Sequence, residues 1–401
     1  MIIMLDATPL VTRNISGVQQ HARNIVSEWS RQRLLHKFVL LISRQAVDDP
    51  AYDLTFVKGL NPGFTVRFFR PSTRGWLKHE ATRLPFLSGL SHGTGDVANV
   101  YHSFSPDISA FSELPAAPIS HTIHDLACEL DLNVRRSAQG HTERFNNRWS
   151  LRRAQHVVAV STQTRNDTMN VYGVKPEDVH VIFNGINPIF HPESNPELAR
   201  QLRRKIPVPN RYILLVGSDI PRRNYPRIFQ AMAEIWREDP TLKLLLAGHN
   251  FWPNTPIYRQ AQAAGVLDRM VFAESPTDTE LAQLYREAVL TCCGSSFEGF
   301  GLSVLEAMAC GCPVACSDMT SLREVAGKAV LFFAHDDPES IGRAVKSLTA
   351  DAEYRRQLGR RGLIQAANFT WLAAAQNLLK ILEQCAAATG GSPATSQQES
   401  P

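Results

Sequence analysis

The chain has 401 residues, 44% of them hydrophobic and 20% charged, a composition that predicts two folded domains and excludes a wholly disordered protein. The 42 basic and 38 acidic residues leave a net charge of +4, which is too balanced for a dedicated nucleic-acid-binding protein. No apolar run approaches the roughly 18 residues that cross a bilayer, and Asp6 interrupts the first apolar segment too early for a signal peptide, so we expect a cytoplasmic protein.

Short apolar or β-branched runs alternate with amphipathic helical stretches along the chain. This alternation predicts an α/β protein built from βαβ units with parallel sheets, and the predicted strands form two sets. The first set lies at 1–5, 38–42, 100–102, 120–123, 157–160 and 179–182. The second set lies at 212–216, 244–247, 270–272, 290–292, 313–316 and 329–332.

A stretch rich in proline and polar residues separates the two sets of strands. It predicts an N-terminal domain over 1–187, a linker over 188–208 and a C-terminal domain over 209–370. The apolar pattern of residues 371–388 predicts one amphipathic helix. Residues 389–401 are mostly Gly, Ser, Pro, Thr and Gln, so we expect this tail to be disordered.

Two glutamates, Glu298 and Glu306, bracket a glycine turn and an apolar run. The run predicts a helix that holds Glu306 and stops at Gly311, with Glu298 in the preceding loop. The N–H groups near 301–303 would then form a helix N-terminus, which attracts phosphate through its unpaired donors and the positive end of its dipole. The segment predicts a diphosphate flanked by two carboxylates; the alternative is a surface loop charge and a solvated helix face.

The complete run from 295 to 311 resembles the E-x7-E signature of the retaining glycosyltransferases of family 4. Gly294 and Ser303 stand where that family usually has proline, at loop or first-turn positions where proline only restricts φ. Other segments resemble the family in the same order, at 16–20, 122–126, 158–165, 212–224, 244–248, 279–288 and 321–329. The resemblance implies the GT-B fold, in which two Rossmann-like domains with parallel sheets face a central cleft.

In that fold the N-terminal domain lies on the acceptor side and the C-terminal domain binds a nucleotide sugar. The final helix crosses back to the N-terminal domain. The resemblance also implies a retaining hexosyltransferase that acts on a glycan or lipid-linked glycan acceptor in surface polysaccharide biosynthesis. Residues 76–85 and the Pro-Arg-x-Asn segment look like bacterial polysaccharide mannosyltransferases, so GDP-mannose is the first donor to test.

The resemblance assigns roles to five residues. Glu298 and His124 are implied at the transfer site, Glu298 beside the donor sugar and His124 at the carboxyl end of a strand. Glu306 is implied to accept hydrogen bonds from the ribose hydroxyls. Arg222 and Arg223 follow a strand and are implied to clamp the diphosphate, with Arg223 at the place of the family lysine. The alternatives are a core or surface histidine and two solvated loop arginines.

The remaining implied donor-binding residues are Phe300, Gly301, Leu302, Ser303 and Gly17. Gly17 lies just before a predicted helix, and a glycine there would let the backbone N–H groups of the helix start approach the phosphate or the acceptor from the opposite domain. The alternative is an ordinary glycine at the start of a helix. Asp125 is a candidate for orienting its loop or the neighbouring His124.

No Asp-x-Asp follows an apolar strand in the manner of metal-dependent nucleotide-sugar enzymes, so we predict no metal and no cofactor beyond the donor itself. Four arginines recur at helical spacing, Arg144, Arg148, Arg152 and Arg153. They are typical of a solvated helix face or of a face for an anionic ligand or the inner membrane surface, which makes a peripheral membrane contact a hypothesis.

Other functions with a similar architecture stay open at the level of the sequence. A nucleotide-sugar epimerase or a phosphorylase-like enzyme is disfavoured by the extended signature, and no lysine context indicates pyridoxal phosphate. A scaffold subunit without turnover is disfavoured because both glutamates and the basic pair are present. A dehydrogenase is the weakest alternative, since no Gly-x-Gly-x-x-Gly follows the first predicted strand.

Overall fold

The computed structural model of the chain describes residues 1–13, 16–32, 34–44, 49–69, 98–105, 117–249, 255–319 and 321–389. Residues 76–85, which carry part of the resemblance to mannosyltransferases, lie outside the described residues. So does the tail from 390 onward, whereas Thr389 is the last residue of a helix.

Two parallel sheets organise the described chain. The seven-stranded sheet has the order β3-β2-β1-β4-β5-β6-β7, with β1 Ile2–Asp6, β2 Lys37–Ser43, β3 Phe64–Phe69, β4 Val100–Ser103, β5 Ile119–Ile123, β6 Ala154–Ala159 and β7 Val179–Val181. The six-stranded sheet has the order β10-β9-β8-β11-β12-β13, with β8 Tyr212–Val216, β9 Lys243–Gly248, β10 Met270–Glu274, β11 Leu290–Cys293, β12 Val314–Ser317 and β13 Leu331–Phe333. The prediction of two Rossmann-like domains with parallel sheets is confirmed.

Helices cover the sheets and connect their strands. In the first half these are α1 Thr8–Val11, α2 Gly17–Arg31, α3 Thr55–Lys58, α4 Ala127–Leu130, α5 Leu132–Arg135, α6 Ala138–Leu151 and α7 Thr162–Tyr172. In the second half they are α8 Pro196–Lys205, α9 Tyr225–Glu238, α10 Pro256–Ala263, α11 Asp278–Glu287, α12 Leu302–Ala309, α13 Leu322–Ala326, α14 Pro338–Ala350, α15 Ala352–Ala366 and α16 Trp371–Thr389. No helix of the described residues is long and apolar enough to cross a bilayer.

The order of strands reverses once in each sheet, and this positions the site. Strand β1 lies between β2 and β4, and β8 lies between β9 and β11. In open α/β sheets, ligands bind beyond the carboxyl ends of the strands at such reversal points. The loops after β4, β5, β8 and β11 therefore border the place where a ligand is expected to bind.

The range predicted as a linker contains a helix. Helix α8 begins at Pro196, and the Asn195 side chain caps it by accepting hydrogen bonds from the N–H groups of Glu197 and Leu198, both at 3.1 Å. Leu202 of this helix is buried in a hydrophobic cluster of the second domain. Part of the range 188–208 therefore belongs to the packed second domain.

The last helix returns to the first domain. Helix α16 packs on α2, and the Trp29 indole N–H donates to the carbonyl oxygen of Ala375 at 3.0 Å. The Thr370 side chain caps the helix by accepting from the Ala373 N–H at 3.2 Å. Apolar residues such as Leu378 and Leu382 are fully buried there, so α16 contributes to the core of the first domain.

Candidate active site

The carboxyl end of β5 presents His124 and Asp125 to the cleft between the domains. His124 Nε2 lies 2.8 Å from the carbonyl oxygen of Phe104. A carbonyl oxygen only accepts, so Nε2 carries the proton and Nδ1 does not. Burial lowers the pKa of His124, although the Phe104 carbonyl and Asp125 oppose this, so the ring is neutral at pH 7. His124 is thus a neutral group with one fixed donor.

Two arginines follow β8 in a short 3-10 helix, Pro221–Arg223. Arg222 Nη1 lies 3.1 Å from Asp125 Oδ2, so an ion pair joins the two domains across the cleft. The other oxygen of Asp125 accepts from the Ala127 N–H at 2.9 Å. Burial opposes the charge of Arg222, but the Asp125 and Glu298 carboxylates together outweigh it and raise the pKa of Arg222 above its usual value.

Arg223 is paired within the second domain. Its guanidinium donates to the Glu298 carboxylate, and its Nη1 lies 3.4 Å from Ser295 Oγ. The side chain covers Gly217, whose φ is +141°, and a Cβ added there would lie 2.6 Å from Arg223 Nε. Glycine at 217 therefore makes room for the guanidinium, and both the charge and the position of Arg223 are fixed.

Helix α12 carries the second glutamate and begins beside the cleft. Gly301 precedes the helix with a φ of +97°, and the N–H groups of Val304 and Leu305 donate to its carbonyl oxygen. The N–H groups of the residues before Val304 have no carbonyl partner within the helix. The N-terminus of α12 therefore carries the partial positive charge that favours an anion.

Glu306 is 5% exposed, and its Oε2 lies 3.1 Å from the hydroxyl oxygen of Tyr285. Burial, assisted by the nearby Asp278 carboxylate, raises the pKa of Glu306 to about 8. At neutral pH Glu306 is therefore mainly protonated in this structure. The residue lines a cavity between the domains together with Gln20 of α2.

The loop that carries Glu298 meets the first domain closely. A Cβ added at Gly299 would lie 1.9 Å from the carbonyl oxygen of His124. Thr164, in α7 of the first domain, donates from Oγ1 to the carbonyl oxygen of Gly299 at 3.3 Å. Glycine at 299 therefore permits the backbone approach that brings Glu298 next to His124 and Asp125.

The other residues that the resemblance implied lie in the same cleft. Phe300 is buried against Phe369, Leu302 is half-buried, and the carbonyl oxygen of Ser303 accepts from the Tyr285 hydroxyl at 3.1 Å. Gly17 begins α2, and a Cβ there would lie 3.6 Å from Leu302. The structure brings the candidate transfer-site and donor-binding residues together at this cleft, while their roles stay predictions.

Several residues of this cleft escape sequence reasoning. Tyr285 and Ser321 bind the signature segment, the latter by donating its hydroxyl hydrogen to the carbonyl oxygen of Glu298 at 2.9 Å. Glu324 accepts from the N–H groups of Thr162 and Gln163 at 2.9 and 3.0 Å, across the two domains at the start of α7. In the sequence Glu324 looks like a surface charge, because its partners are backbone groups about 160 positions away.

The arrangement places two arginines, three carboxyl groups, a neutral imidazole and a helix N-terminus around one cleft. Fixed charges and dipoles of this kind stabilise charge that develops in a transition state without reorganising. Among the residues that the structure describes, no three His, Cys, Asp or Glu side chains group in a way that could hold a metal ion. Metal independence stays a prediction.

Two facing α/β domains with this cleft define a glycosyltransferase of the GT-B type. The family description "Glycosyltransferase Family 4" matches residues 15–190, and "Glycosyl transferases group 1" matches residues 200–364. The chain belongs to the family 4 glycosyltransferases, with one of these domains on each side of the cleft.

The chain is also similar to individual proteins, at sequence identities of 21% to 28%. The O-antigen chain mannosyltransferase B of Escherichia coli is 28% identical over 55% of this chain and 58% of its own length, so the chain spans less than two thirds of that protein. The D-inositol 3-phosphate glycosyltransferase of Salinispora tropica is 28% identical over 84% of this chain and 76% of its own length. The sucrose-phosphate synthase of Thermosynechococcus elongatus shares the fold, with a TM-score of 0.73 at 21% identity, over 96% of this chain and 99% of that one.

Proposed function

We propose that the protein transfers a hexose from a nucleoside diphosphate sugar to a glycan or lipid-linked glycan acceptor, with retention at the anomeric carbon. The observation that carries this proposal is that Arg222 and Arg223 contact the loop leading into α12: the Arg222 carbonyl oxygen accepts from the Ser296 N–H, and the Arg223 guanidinium donates to Glu298, so both cations lie near the N-terminus of that helix. These are cationic groups at the carboxyl end of a sheet, where a diphosphate would bind.

The residues divide the work between the nucleotide and the sugar. Glu306 binds the ribose hydroxyls through its carboxylate, which the Tyr285 hydroxyl orients. Arg222 and Arg223 bind the diphosphate oxygens and stabilise the charge of the leaving group. Glu298 and His124 lie beside the sugar, where the carboxylate stabilises the positive charge that develops at the anomeric carbon.

The transfer breaks the bond between the anomeric carbon and the oxygen of the terminal phosphate. The acceptor hydroxyl attacks from the same face, and its proton passes to the departing phosphate oxygen. The two cations keep the negative charge of that phosphate stabilised throughout. Glu298 acts electrostatically in this scheme, as a carboxylate that Arg223 holds in place.

We propose GDP-mannose as the donor and surface polysaccharide biosynthesis as the setting. Support comes from the similarity to an O-antigen chain mannosyltransferase, which covers 55% of this chain. The similarity to a D-inositol 3-phosphate glycosyltransferase covers more of the chain at the same identity, so other donors must be tested beside GDP-mannose.

On the acceptor side we propose a peripheral contact with the inner surface of the membrane. Leu132 and Phe145 are 62% and 56% exposed on helices α5 and α6, which follow His124 in the chain. Residues 127–153 contain six arginines and three acidic residues, so the apolar side chains lie within a basic segment. Apolar and cationic groups together favour an anionic lipid surface.

The central experiment is a donor panel assayed by release of nucleoside diphosphate, with the Glu298→Ala and Arg223→Ala variants as controls. We expect turnover with one guanosine-linked hexose and loss of turnover in both variants. Failure to bind any nucleotide sugar would refute the proposal, and binding without release would indicate a scaffold subunit.

Product NMR tests retention, and an inverted anomer contradicts it. Loss of transfer on chelation, restored by a divalent ion, would overturn metal independence.

A further inference from the structure

His21 lies at the first turns of α2 and is enclosed at the base of the cleft. Its side chain is 0% exposed, and its ring meets the His124 ring edge-on, with centroids 5.0 Å apart and planes at 84°. Phe104 and Trp371 complete the ring contacts, at 5.9 and 6.0 Å. His21 therefore touches both the end of β5 and the helix α16 that returns from the second domain.

A hydrogen bond fixes the proton of His21. Its Nδ1 lies 2.7 Å from Oδ1 of Asn184, which is 3% exposed. The amide oxygen only accepts, so Nδ1 donates and Nε2 keeps its lone pair. That Nε2 is buried and has no hydrogen-bond partner among the described residues. Burial and the neighbouring His124 lower the pKa of His21 to about 3, so the ring stays neutral.

Asn184 connects this bond to the crossing point between the domains. The next residue is Gly185, where an added Cβ would lie 2.0 Å from the backbone nitrogen of Trp371. The Ile186 N–H donates to the carbonyl oxygen of Phe369 at 3.0 Å. His21 is thereby anchored to a segment that packs tightly against the start of α16.

We propose that His21 is a positioning residue that holds the His124 ring in one orientation and one tautomer. The last torsion of a histidine side chain has broad, roughly two-fold minima, so packing must select one of them. The His21 and His124 rings pack in a T-shaped pair, and the bond to Asn184 keeps His21 itself from turning. The carbonyl oxygen of Phe104 then accepts a hydrogen bond from the Nε2–H of His124.

The loss of activity that we expect without His21 rests on the proposed function, whereas the expected change in the His124 tautomer does not. A misplaced group at a transfer site costs roughly 10²-fold in rate. We expect His21→Ala to lower kcat by about 10- to 100-fold while the dissociation constant for GDP changes less than about twofold. His21→Phe keeps a ring but loses the bond to Asn184, and Asn184→Ala loses the same bond from the other side, so both should fall between wild type and His21→Ala.

Nitrogen-15 NMR of labelled histidine supplies the readout that needs no turnover. In the wild type we expect the His124 signals to show a proton on Nε2 alone, assigned by their absence in His124→Gln. In His21→Ala we expect averaged signals from two tautomers. The matched control is His36→Ala, because His36 Nε2 lies 3.1 Å from the carboxylate of Glu383, which is twelve positions after Trp371 in α16.

The outcomes separate this proposal from the proposed function. Unchanged His124 signals in folded His21→Ala and Asn184→Ala would overturn the positioning role, whatever the activity. Averaged signals in a protein that turns over no donor would support the positioning role and refute the transferase. If His21→Ala does not fold, as judged by its melting transition, His21→Phe and Asn184→Ala decide the question through the same signals.

Discussion

Arg222 of the second domain and Asp125 of the first domain form an ion pair across the cleft, with 3.1 Å between Nη1 and Oδ2. Their side chains are 21% and 26% exposed, so the pair is only partly screened by water. Asp125 thus holds the guanidinium that we assign to the donor diphosphate. A diphosphate that enters the cleft must share Arg222 with this carboxylate or displace it.

We therefore expect Asp125→Asn to bind nucleoside diphosphate more tightly than the wild type. The amide still accepts from the Ala127 N–H, while the competing charge is removed. Partly exposed pairs contribute up to about 1 kcal/mol, so the gain is at most about fivefold and should shrink as salt increases. Titration calorimetry with GDP and with UDP measures it. Asp239→Asn is the control, since Asp239 pairs with Arg211 on the surface at 3.0 Å. Weaker binding by Asp125→Asn would contradict the competition.

The contact of Gly299 with His124 gives a steric prediction. A methyl group at 299 would overlap the His124 carbonyl oxygen at 1.9 Å and approach Asp125 Cβ at 2.8 Å. We expect Gly299→Ala to push the Glu298 loop from the end of β5 and to lower kcat by about 10²-fold. In Gly342→Ala the nearest atom lies at 3.6 Å, so this variant should keep full activity. Steady-state kinetics decides, and wild-type kcat in Gly299→Ala would show that the close approach is dispensable.

The Arg223 guanidinium offsets the cost of burying the Glu298 carboxylate. Its side chain is 10% exposed, so removing the guanidinium leaves a carboxylate with little water around it. We expect Arg223→Met to lower the free energy of unfolding by about 3–5 kcal/mol, and a second change, Glu298→Gln, to recover part of that loss. Urea unfolding measures both. Arg203→Met breaks a pair that is 42% exposed at the arginine and should cost less than about 1 kcal/mol. Equal losses in the two arginine variants would contradict the argument.

The fold is largely predictable from the sequence because parallel strands buried on both faces read as continuous apolar runs. Strands such as β8 and β9 are of this kind, and their positions agree with the prediction. Strand β3 is the exception. It lies at the edge of its sheet, and Val66 and Phe68 are each 40% exposed, so its sequence lacks a clear apolar run.

The sequence predicts those residues of the candidate site that lie close together along the chain. Glu298 and Glu306 lie on one loop and the helix that follows, and Arg222 follows directly after a strand and a turn. The contacts that support them are not local. Tyr285 reaches Glu306 from another helix, and His21 meets His124 from a distant part of the chain. No spacing rule links such residues, because tertiary packing alone brings them together.

The basic and apolar surface of α5 and α6 predicts binding to anionic vesicles. We expect the wild type to sediment with vesicles that contain phosphatidylglycerol and not with pure phosphatidylcholine, with less binding at high salt. Leu132→Ser and Phe145→Ser should each reduce the bound fraction several-fold, since each removes apolar area from the bilayer. Ile364→Ser is the matched control, because Ile364 is 73% exposed on α15 of the other domain. Equal losses in all three variants would remove the case for a lipid-binding surface.

The raised pKa of Glu306 links stability to pH. The pKa is about 8 in the folded protein against an ordinary value of 4.5, so the folded state binds the extra proton between these values. The contribution of Glu306 to stability is therefore complete below about pH 4.5 and is lost as the pH rises to about 8. We expect the free energy of unfolding of the wild type to fall relative to Glu306→Gln over this range, as measured by urea unfolding. A constant difference would show that Glu306 ionises normally.

Nucleotide binding should release the same proton. Ribose hydroxyls that donate to Glu306 favour its charged form and lower its pKa in the complex. At neutral pH we therefore expect GDP to bind with release of up to about one proton, seen as a binding enthalpy that varies with the ionisation enthalpy of the buffer. Glu306→Gln keeps the size of the side chain but cannot ionise, so its binding enthalpy should lose most of this variation. If the variation persists in Glu306→Gln, the proton comes from another group and the ribose contact loses its support.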